Sequence, residues 1–442
     1  MALLESKGFK SYLVGGCVRD LIMKRPLTDI DITTDATPDQ VMDIFAGREI
    51  FAIPTGLDHG TVTVVVNGNN IEVTTFRTGV SSDGRKSKVG FGKTLEEDLL
   101  RRDFTINAIA FNPTENSYID PYGGQRDIKK GLIKAVGTPL KRFREDYLRM
   151  FRAHRFEAVL EFTMAPETLA AVKSAAGEKW QKVISVERIR EEINKCFKQA
   201  KAPSIMIEGM RKSGILESVL PELTRCRGFE QNRHHEFDIY THTLHTIDAV
   251  PKGSSLIRWA ALIHDLGKVD ACENYGPEAT FYGHEKISYE MGRKILKRMK
   301  FGNTAAKHIL NLVKHHMYNY VEGMRDASVR RLAAAVGEEN MEDFCMLRRA
   351  DSTAKTNGFS PDSEGNEKTL LERVRKIAAD DKLFKIRDLA IGGREIMEIK
   401  NINASPEVGA MLRRLHEMVL DDPSKNTREI LVKIVKDTDL NM

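Results

Sequence analysis

Apolar and polar positions change rhythm once along this chain, and the change divides it. From residue 10 to about 112, short apolar runs alternate with a helix or loop: Ser11–Val14, Ile30–Thr33, Thr61–Val66, Ile71–Thr75 and Ala108–Asn112. Their period of two is that of strands with one buried face. After Pro121-Tyr-Gly-Gly124 these signals largely stop, and from Pro139 nearly to the end apolar residues recur at helical spacing. The predicted fold class is an α+β head with a mixed β-sheet, followed by an all-α remainder. Breaks fall near Ala202-Pro203, Pro251-Lys-Gly253 and the polar run Thr356–Lys368, where Gly, Ser, Pro and charge displace the periodicity. The stretch from Gly79 to Gly92 is too polar and Gly-rich to pack firmly, which predicts a mobile loop.

Length and charge narrow this picture only a little. A chain of 442 residues exceeds what one core usually supports, so two to four domains are expected. The balance of 68 Lys+Arg against 63 Asp+Glu is mildly basic. That fits transient binding of a polyanion and fits an enzyme of small molecules equally well. The cysteines Cys17, Cys196, Cys226, Cys272 and Cys345 lie far apart without a Cys-x-x-Cys pair. This argues against a disulfide framework or a thiolate zinc site and predicts a reduced, cytoplasmic protein. No stretch approaches the ~18 consecutive apolar residues of a membrane span, and the first residues lack a signal-peptide pattern, so no membrane association is expected.

The candidate chemistry begins at Tyr12-Leu-Val-Gly-Gly-Cys-Val-Arg-Asp20. Leu13 and Val14 end a strand, Gly15 and Gly16 permit a tight turn, and Cys17 to Met23 have the spacing of an opening helix, an arrangement that aims free N–H groups at an anion. In Thr28-Asp-Ile-Asp-Ile-Thr33 the i,i+2 spacing turns Asp29 and Asp31 to one face of a strand, roughly 6–7 Å apart along it. Such a pair can hold Mg²⁺, and a phosphate cradle beside it suits nucleotidyl transfer. Glu72 is either a third metal carboxylate or a partner for Arg77. Arg101-Arg-Asp-Phe-Thr-Ile-Asn107 supplies guanidinium groups suited to phosphates and a carboxylate suited to a ribose hydroxyl. In Glu145-Asp-Tyr-Leu-Arg149, Asp146 and Glu145 are i,i+3 and i,i+4 neighbours of Arg149 on one helix face. A carboxylate accepting from an exocyclic amine and an arginine donating to the adjacent ring nitrogen fit cytosine and adenine, whereas guanine and uracil reverse that polarity. Arg152 and Arg155 follow on the same helix, either packing it or steering phosphate.

Residues 10–160 resemble the class II tRNA nucleotidyltransferases, the bacterial CCA-adding enzymes and their poly(A) polymerase relatives. Gly15-Gly16-Cys17-Val18-Arg19-Asp20, Asp29-Ile30-Asp31, Arg101-Arg102-Asp103 and Glu145-Asp146-x-x-Arg149 stand in that family's order. The resemblance implies that Asp29 and Asp31 bind catalytic Mg²⁺ and that Arg102 and Asp103 hold ribose and phosphates, with Gly15, Gly16, Arg19 and Asn107 in the same nucleotide site. It further implies that Asp146 with Arg149 selects CTP and ATP, beside Glu145, Arg152 and Arg155. It predicts a catalytic head (1–138), a helical neck carrying the base-selecting motif (139–200), a helical body (201–355) and a tRNA-binding helical tail (356–442). The expected activity is template-independent addition of CCA to tRNA 3′ ends with release of pyrophosphate. Poly(A) polymerase, A-adding and CC-adding enzymes are the alternatives, the long Gly79–Gly92 loop arguing against CC-only addition. The sequence identifies no protein partner.

A second constellation lies downstream. His242, His264-Asp265, His284, His315, His316 and Asp351 are ligands suited to a borderline divalent metal. Their order resembles the HD phosphohydrolase superfamily over roughly 231–355. The expected first site is His242, His264, Asp265 and Asp351, holding Mn, Fe, Co, Ni or Zn, with His284, His315 and His316 available for a second ion. Two roles remain open for it, a metal-dependent phosphohydrolase and a scaffold.

Overall fold

A computed structural model of the chain describes all residues except 28, 47–49, 57–59, 79–80, 83–86, 89–91, 93, 234–235, 319, 322, 356–360, 381–384 and 440–442. The described chain forms two compact units, Met1–Val219 and Leu220–Met442, the division falling inside the segment 201–355.

The first unit is built on a mixed seven-stranded sheet. In chain order its strands are β1 (Ser11–Val14), β2 (Ile30–Thr34), β3 (Phe51–Gly56), β4 (Thr61–Val66) and β5 (Asn69–Thr75), then β8 (Ala110–Asn112) and β9 (Ser117–Ile119). Two short strands between them, β6 (Ser81–Ser82) and β7 (Ser87–Lys88), pair only with each other. The sheet order is β3-β4-β5-β2-β1-β8-β9. Only β2 and β5 run parallel; the remaining neighbours are antiparallel. β4 illustrates the local cause: in Thr61-Val-Thr-Val64 the two valines are buried while the threonines between them are only half-buried. Asn67 and Gly68, both at positive φ (50° and 77°), close the two-residue hairpin to β5, a backbone twist that suits such turns. One side of the sheet closes over Leu4, Ile32, Val41, Phe45, Val62, Val64 and Val73.

Two strands escape the sequence pattern. β3 contains Pro54, which reads as a breaker, and it survives because it is an edge strand whose register shifts between Ile53 and Gly56. β9 is only three residues long and forms the opposite edge. The expected strand at Ala108 starts instead at Ala110, because Thr105–Asn107 tightens into a 3₁₀ turn. The predicted mobile loop lies largely outside the described residues.

From Pro139 the first unit is helical but for a two-residue pairing of Leu132–Ile133 with Thr163–Met164. Among the described residues the regular elements of the second unit are all helices, with an isolated bridge between Glu273 and Thr280. Of the polar run expected as a break at Thr356–Lys368, residues 356–360 lie outside the described residues and the rest begins a helix, Pro361–Asp380. Its apolar stripe, the buried Leu370, Val374 and Ile377, begins only in the third turn, so the first two turns read as polar linker. No helix among the described residues is long and apolar enough to cross a membrane.

Candidate active site

The centre of the sheet gathers the first constellation. β1 and β2 are antiparallel neighbours, and the parallel pairing of β2 with β5 sets Asp31 directly opposite Glu72. Asp29 is exposed and sits one residue ahead of β2, whereas Asp31 is half-buried within it. Burial raises the pKa of Asp31, Glu72 and Asp29 raise it further, and Arg102 opposes them. Asp31 thus sits in a cluster of negative charge that a divalent cation relieves. Of the two sequence readings of Glu72, the register favours the carboxylate set, while the Arg77 guanidinium donates to Thr61 Oγ1 at 2.5 Å.

Gly15 caps the helix Gly16–Ile22 at φ 77°, a left-handed conformation that a side chain resists. A Cβ there would lie 2.9 Å from Arg102 Nη1 and 3.4 Å from Asp31 Oδ2, so this glycine lets an arginine and a carboxylate approach the turn together. Arg19, on that helix, is turned inward: it is buried, pairs with Asp20 at 3.0 Å and donates to Asn107 Oδ1 at 2.7 Å.

Asp103 is buried and engaged on both oxygens. Oδ1 accepts from Phe104 N (2.8 Å) and Asn107 Nδ2 (3.1 Å), and Oδ2 accepts from Arg152 Nε (2.7 Å). Burial alone would raise its pKa; Arg152 and Asn107 outweigh burial and hold it well below the usual carboxylate range. Arg152 is therefore tied to Asp103, and Arg155 is tied to the buried Glu192 at 2.6 Å. The Arg19, Arg152 and Arg155 guanidinium groups all lie over the Phe156 ring, at 5.3, 5.4 and 4.2 Å from its centroid.

The Glu145–Arg149 segment departs from the one-helix expectation. The helix Pro139–Glu145 ends there, Asp146 takes extended backbone angles, and a second helix runs over Leu148–Leu160. Glu145 and Arg149 still pair, at 3.1 Å across the break. Asp146 instead accepts from Leu148 N on Oδ1 and from Arg188 Nη2 (2.8 Å) on Oδ2. Arg149 also donates to the carbonyls of Arg101 (2.7 Å) and Arg142 (3.0 Å), so it links three segments and is no simple surface charge.

The second unit gathers the other constellation. His242, His264, Asp265 and Asp351 are all buried, and each offers a ligand atom within 4.8 Å of the others; Asp265, His284 and His316 form a second such group. Asp265 is shared, its Oδ2 lying 3.4 Å from His242 Nε2 and 3.3 Å from His264 Nε2, its Oδ1 lying 3.2 Å from His284 Nε2 and 3.5 Å from His316 Nε2. Three helices and the turns after Ile263 and His315 deliver these side chains, and His315, one position before His316, belongs to neither group among the described residues. Nδ1 of His264, His284 and His316 each lies 2.7–2.8 Å from a carbonyl three residues earlier, which orients Nε2 toward the cluster. Nε2 of His264 is buried and makes no hydrogen bond of good geometry among the described residues, Asp265 Oδ2 lying 3.3 Å away. Two imidazoles and two carboxylates around such an atom fit a transition metal.

Comparison with known proteins follows this geometry. Residues 11–134 match the family Poly A polymerase head domain, residues 161–226 the probable RNA and SrmB-binding site of polymerase A, and residues 239–356 the HD domain. The chain is 30% identical to the CCA-adding enzyme of Pediococcus pentosaceus over 435 residues, 98% of this chain and 95% of that protein. The chain belongs to the CCA-adding enzyme family. With the enzyme of Lactobacillus delbrueckii the identity rises to 48%, over 194 residues that span 43% of this chain and about half, 47%, of that relative. The crystal structure of the Bacillus stearothermophilus CCA-adding enzyme in complex with CTP superposes with a TM-score of 0.74 at 28% identity, covering 98% of this chain and 94% of that one.

The chain carries the Poly A polymerase head domain of its family. Its matched head domain contains Asp29, Asp31, Glu72, Arg102 and Asp103, and the HD match contains both downstream histidine groups. Membership and the HD match both imply dependence on divalent metal. Sequence reasoning missed several residues that these sites engage. Lys268, 2.7 Å from Asp265, carries a local signal in its i,i+3 spacing. Asp98, which grips Arg101 and Arg102, carries a similar one. Glu192 and Arg188 reach Arg155 and Asp146 across 37 and 42 residues, and no local pattern points to them.

Proposed function

We propose that this protein adds the 3′-terminal CCA to tRNA, with CTP and ATP as substrates, in the cytoplasm. The RNA 3′-hydroxyl oxygen forms the new bond to the α-phosphorus, the bond to the bridging oxygen breaks, and pyrophosphate leaves. The observation that carries this reading is the relationship to a CCA-adding enzyme over 98% of the chain. The test is a single-nucleotide ladder from tRNAs lacking CCA, ending in C and ending in CC, each with every NTP separately. The expected result is two C on the tRNA lacking CCA and one C on that ending in C from CTP alone, and one A on that ending in CC from ATP alone, each followed by arrest. Homopolymeric A would make the enzyme a poly(A) polymerase, and A on the CC substrate alone an A-adding one.

In this reading Asp29, Asp31 and Glu72 hold Mg²⁺, which when bound supplies charge neutralisation at the reacting phosphate and lowers the pKa of the attacking hydroxyl. Arg102, beside Gly15, holds the phosphates, and Asp103 accepts from a ribose hydroxyl, its orientation kept by Asn107 and Arg152. Glu72→Gln is expected to lower single-turnover addition on the order of 10²-fold with little change in CTP affinity. An unchanged rate would remove Glu72 from the metal set.

Asp146 and Arg149 choose the base. Arg149→Ala is expected to relax rejection of GTP and UTP by about 1–3 kcal/mol, roughly 5- to 150-fold. Because Arg149 also ties Arg101 and Arg142, the informative quantity is the ratio of correct to incorrect kcat/KM rather than the rate. A ratio that does not move counts against the assignment. The division into head (1–138), neck (139–200), body (201–355) and tRNA-binding tail (356–442) accompanies this function.

A second activity is supported by Asp265 standing in both histidine groups. We read this as a transition-metal phosphohydrolase centre on the second unit, with His242, His264, Asp265 and Asp351 as one ligand set and His284 and His316 completing the other.

A further inference from the structure

Asp98 has no exposed surface, and it is the most deeply buried acid among the described residues. It sits on the short helix Leu95–Leu100, whose start is fixed by a capping box between Thr94 and Glu97. Its carboxylate divides two cations between its oxygens. Oδ1 accepts from Arg101 Nε (3.0 Å) and Nη2 (2.8 Å), and from the backbone N–H of Arg77 (3.3 Å). Oδ2 accepts from Arg102 Nε (3.3 Å) and Nη2 (2.9 Å). Burial would raise its pKa, but Arg102 and Arg101 outweigh burial and lower it, so the group is ionised at neutral pH.

A carboxylate is buried at a cost unless it is paired, and here one negative charge faces two positive ones. The excess positive charge is directed. Because a guanidinium is a rigid plane, gripping its Nε/Nη2 edge settles where Nη1 points. For Arg102 that third nitrogen lies 2.9 Å from the place a Cβ would take on Gly15, with Asp31 Oδ2 3.4 Å from the same place.

We propose that Asp98 is the positioning residue of the phosphate subsite: it grips the inner edge of Arg102 so that Nη1 faces the nucleotide's phosphates between Gly15 and Asp31. This rests on the reading of Arg102 as a phosphate-holding group. A phosphate donor of this kind serves the ground state and the transition state alike, so loss of the grip weakens binding of the triphosphate before it affects anything else.

The test is Asp98→Asn, alone and combined with Arg102→Ala, in the full-length enzyme. In the single variant the KM values for CTP and ATP are expected to rise together by about tenfold, with kcat within about threefold and tRNA affinity and the preference for C and A over G and U unchanged. The inhibition constant of inorganic tripolyphosphate, which carries neither base nor ribose, rises by the same factor. In the Arg102→Ala background Asp98→Asn adds less than about twofold to these constants, since it has no arginine left to position. A full additional tenfold effect in that background would mean that Asp98 acts on folding alone and would overturn the inference. If Arg102→Ala by itself leaves KM and the tripolyphosphate constant unchanged, the phosphate-holding reading fails and the inference with it. Should Asp98→Asn fail to fold, Asp98→Glu keeps the charge but displaces the arginine by one methylene, and the same cycle applies to it.

Discussion

Asp29→Ala or Asp31→Ala is expected to abolish nucleotide addition, a loss on the order of 10³-fold or more, while tRNA affinity stays nearly unchanged. The structural motive is the carboxylate cluster in which Glu72 stands opposite Asp31 in register and Asp29 lies just ahead of the strand. Neutralising charge that develops at the reacting phosphate acts in the transition state, whereas binding of a long polyanion draws on lysines and arginines spread over a much larger surface. Asp31 is expected to be the more damaging of the two. It is half-buried and is the carboxylate nearest the turn at Gly15, while Asp29 is exposed. Removing Asp31 also takes away one of the carboxylates that Arg102 faces, its pair with Asp98 remaining. The measurement is single-turnover extension of tRNA ending in CC, with filter binding of the same tRNA in parallel. Near-normal extension by either variant would place the catalytic metal elsewhere.

The second large effect is expected in the other unit. His264→Ala combined with Asp265→Asn should remove bound transition metal and any phosphomonoesterase or phosphodiesterase activity, yet leave CCA addition within about twofold. Asn rather than Ala is chosen at 265 because Lys268 lies 2.7 Å from that carboxylate and is itself buried. Asn keeps an oxygen that accepts from this ammonium beside Gln231 Oε1 (2.7 Å), so loss of metal is less confused with loss of folding. Asp265 is the critical ligand because both groups include it. The separation of activities follows from ligand chemistry: imidazole-rich sites favour Mn, Fe, Co, Ni or Zn, while the carboxylate cluster at Asp31 favours Mg. Elemental analysis of wild-type and variant protein after reconstitution, together with phosphate release from model esters, checks it. A wild-type protein that takes up no transition metal would sink the metal-centre reading. Metal without hydrolysis would leave the centre a scaffold.

Both predictions depend on contacts that differ in how far they could be read along the chain. The alternation in Thr61–Val66, the Asp29-x-Asp31 spacing and the Gly15-Gly16 turn each follow from a handful of adjacent residues, because strand period and backbone freedom are local properties. For the same reason five of the seven strands of the head sheet and the onset of helices at Pro139 were legible, as were six of the seven histidines and aspartates expected to lie together. Where local cues misled, a tertiary term had intervened. Pro54 is tolerated because β3 is an edge strand, and the polar start of the helix Pro361–Asp380 is helical because Leu370, Val374 and Ile377 anchor its later turns.

The sites themselves were decided at longer range. Whether Glu72 faces Asp31 or Arg77 depended on the parallel register of two strands 41 residues apart in sequence, which neither strand encodes alone. The break at Asp146 and its contact with Arg188, the inward turn of Arg19 to Asn107, and the choice of His316 over His315 likewise depended on which faces pack together. Asp98 lies between these cases: its i,i+3 and i,i+4 spacing to Arg101 and Arg102 is local, yet only complete burial turns a routine surface pair into a fixed grip on both arginines. By itself the sequence determined which chemical groups this protein owns and the elements that carry them, since those follow from residue type and period. The tertiary structure alone decided which groups oppose one another, because charge, burial and direction at a site are sums over segments that meet only when the chain is folded.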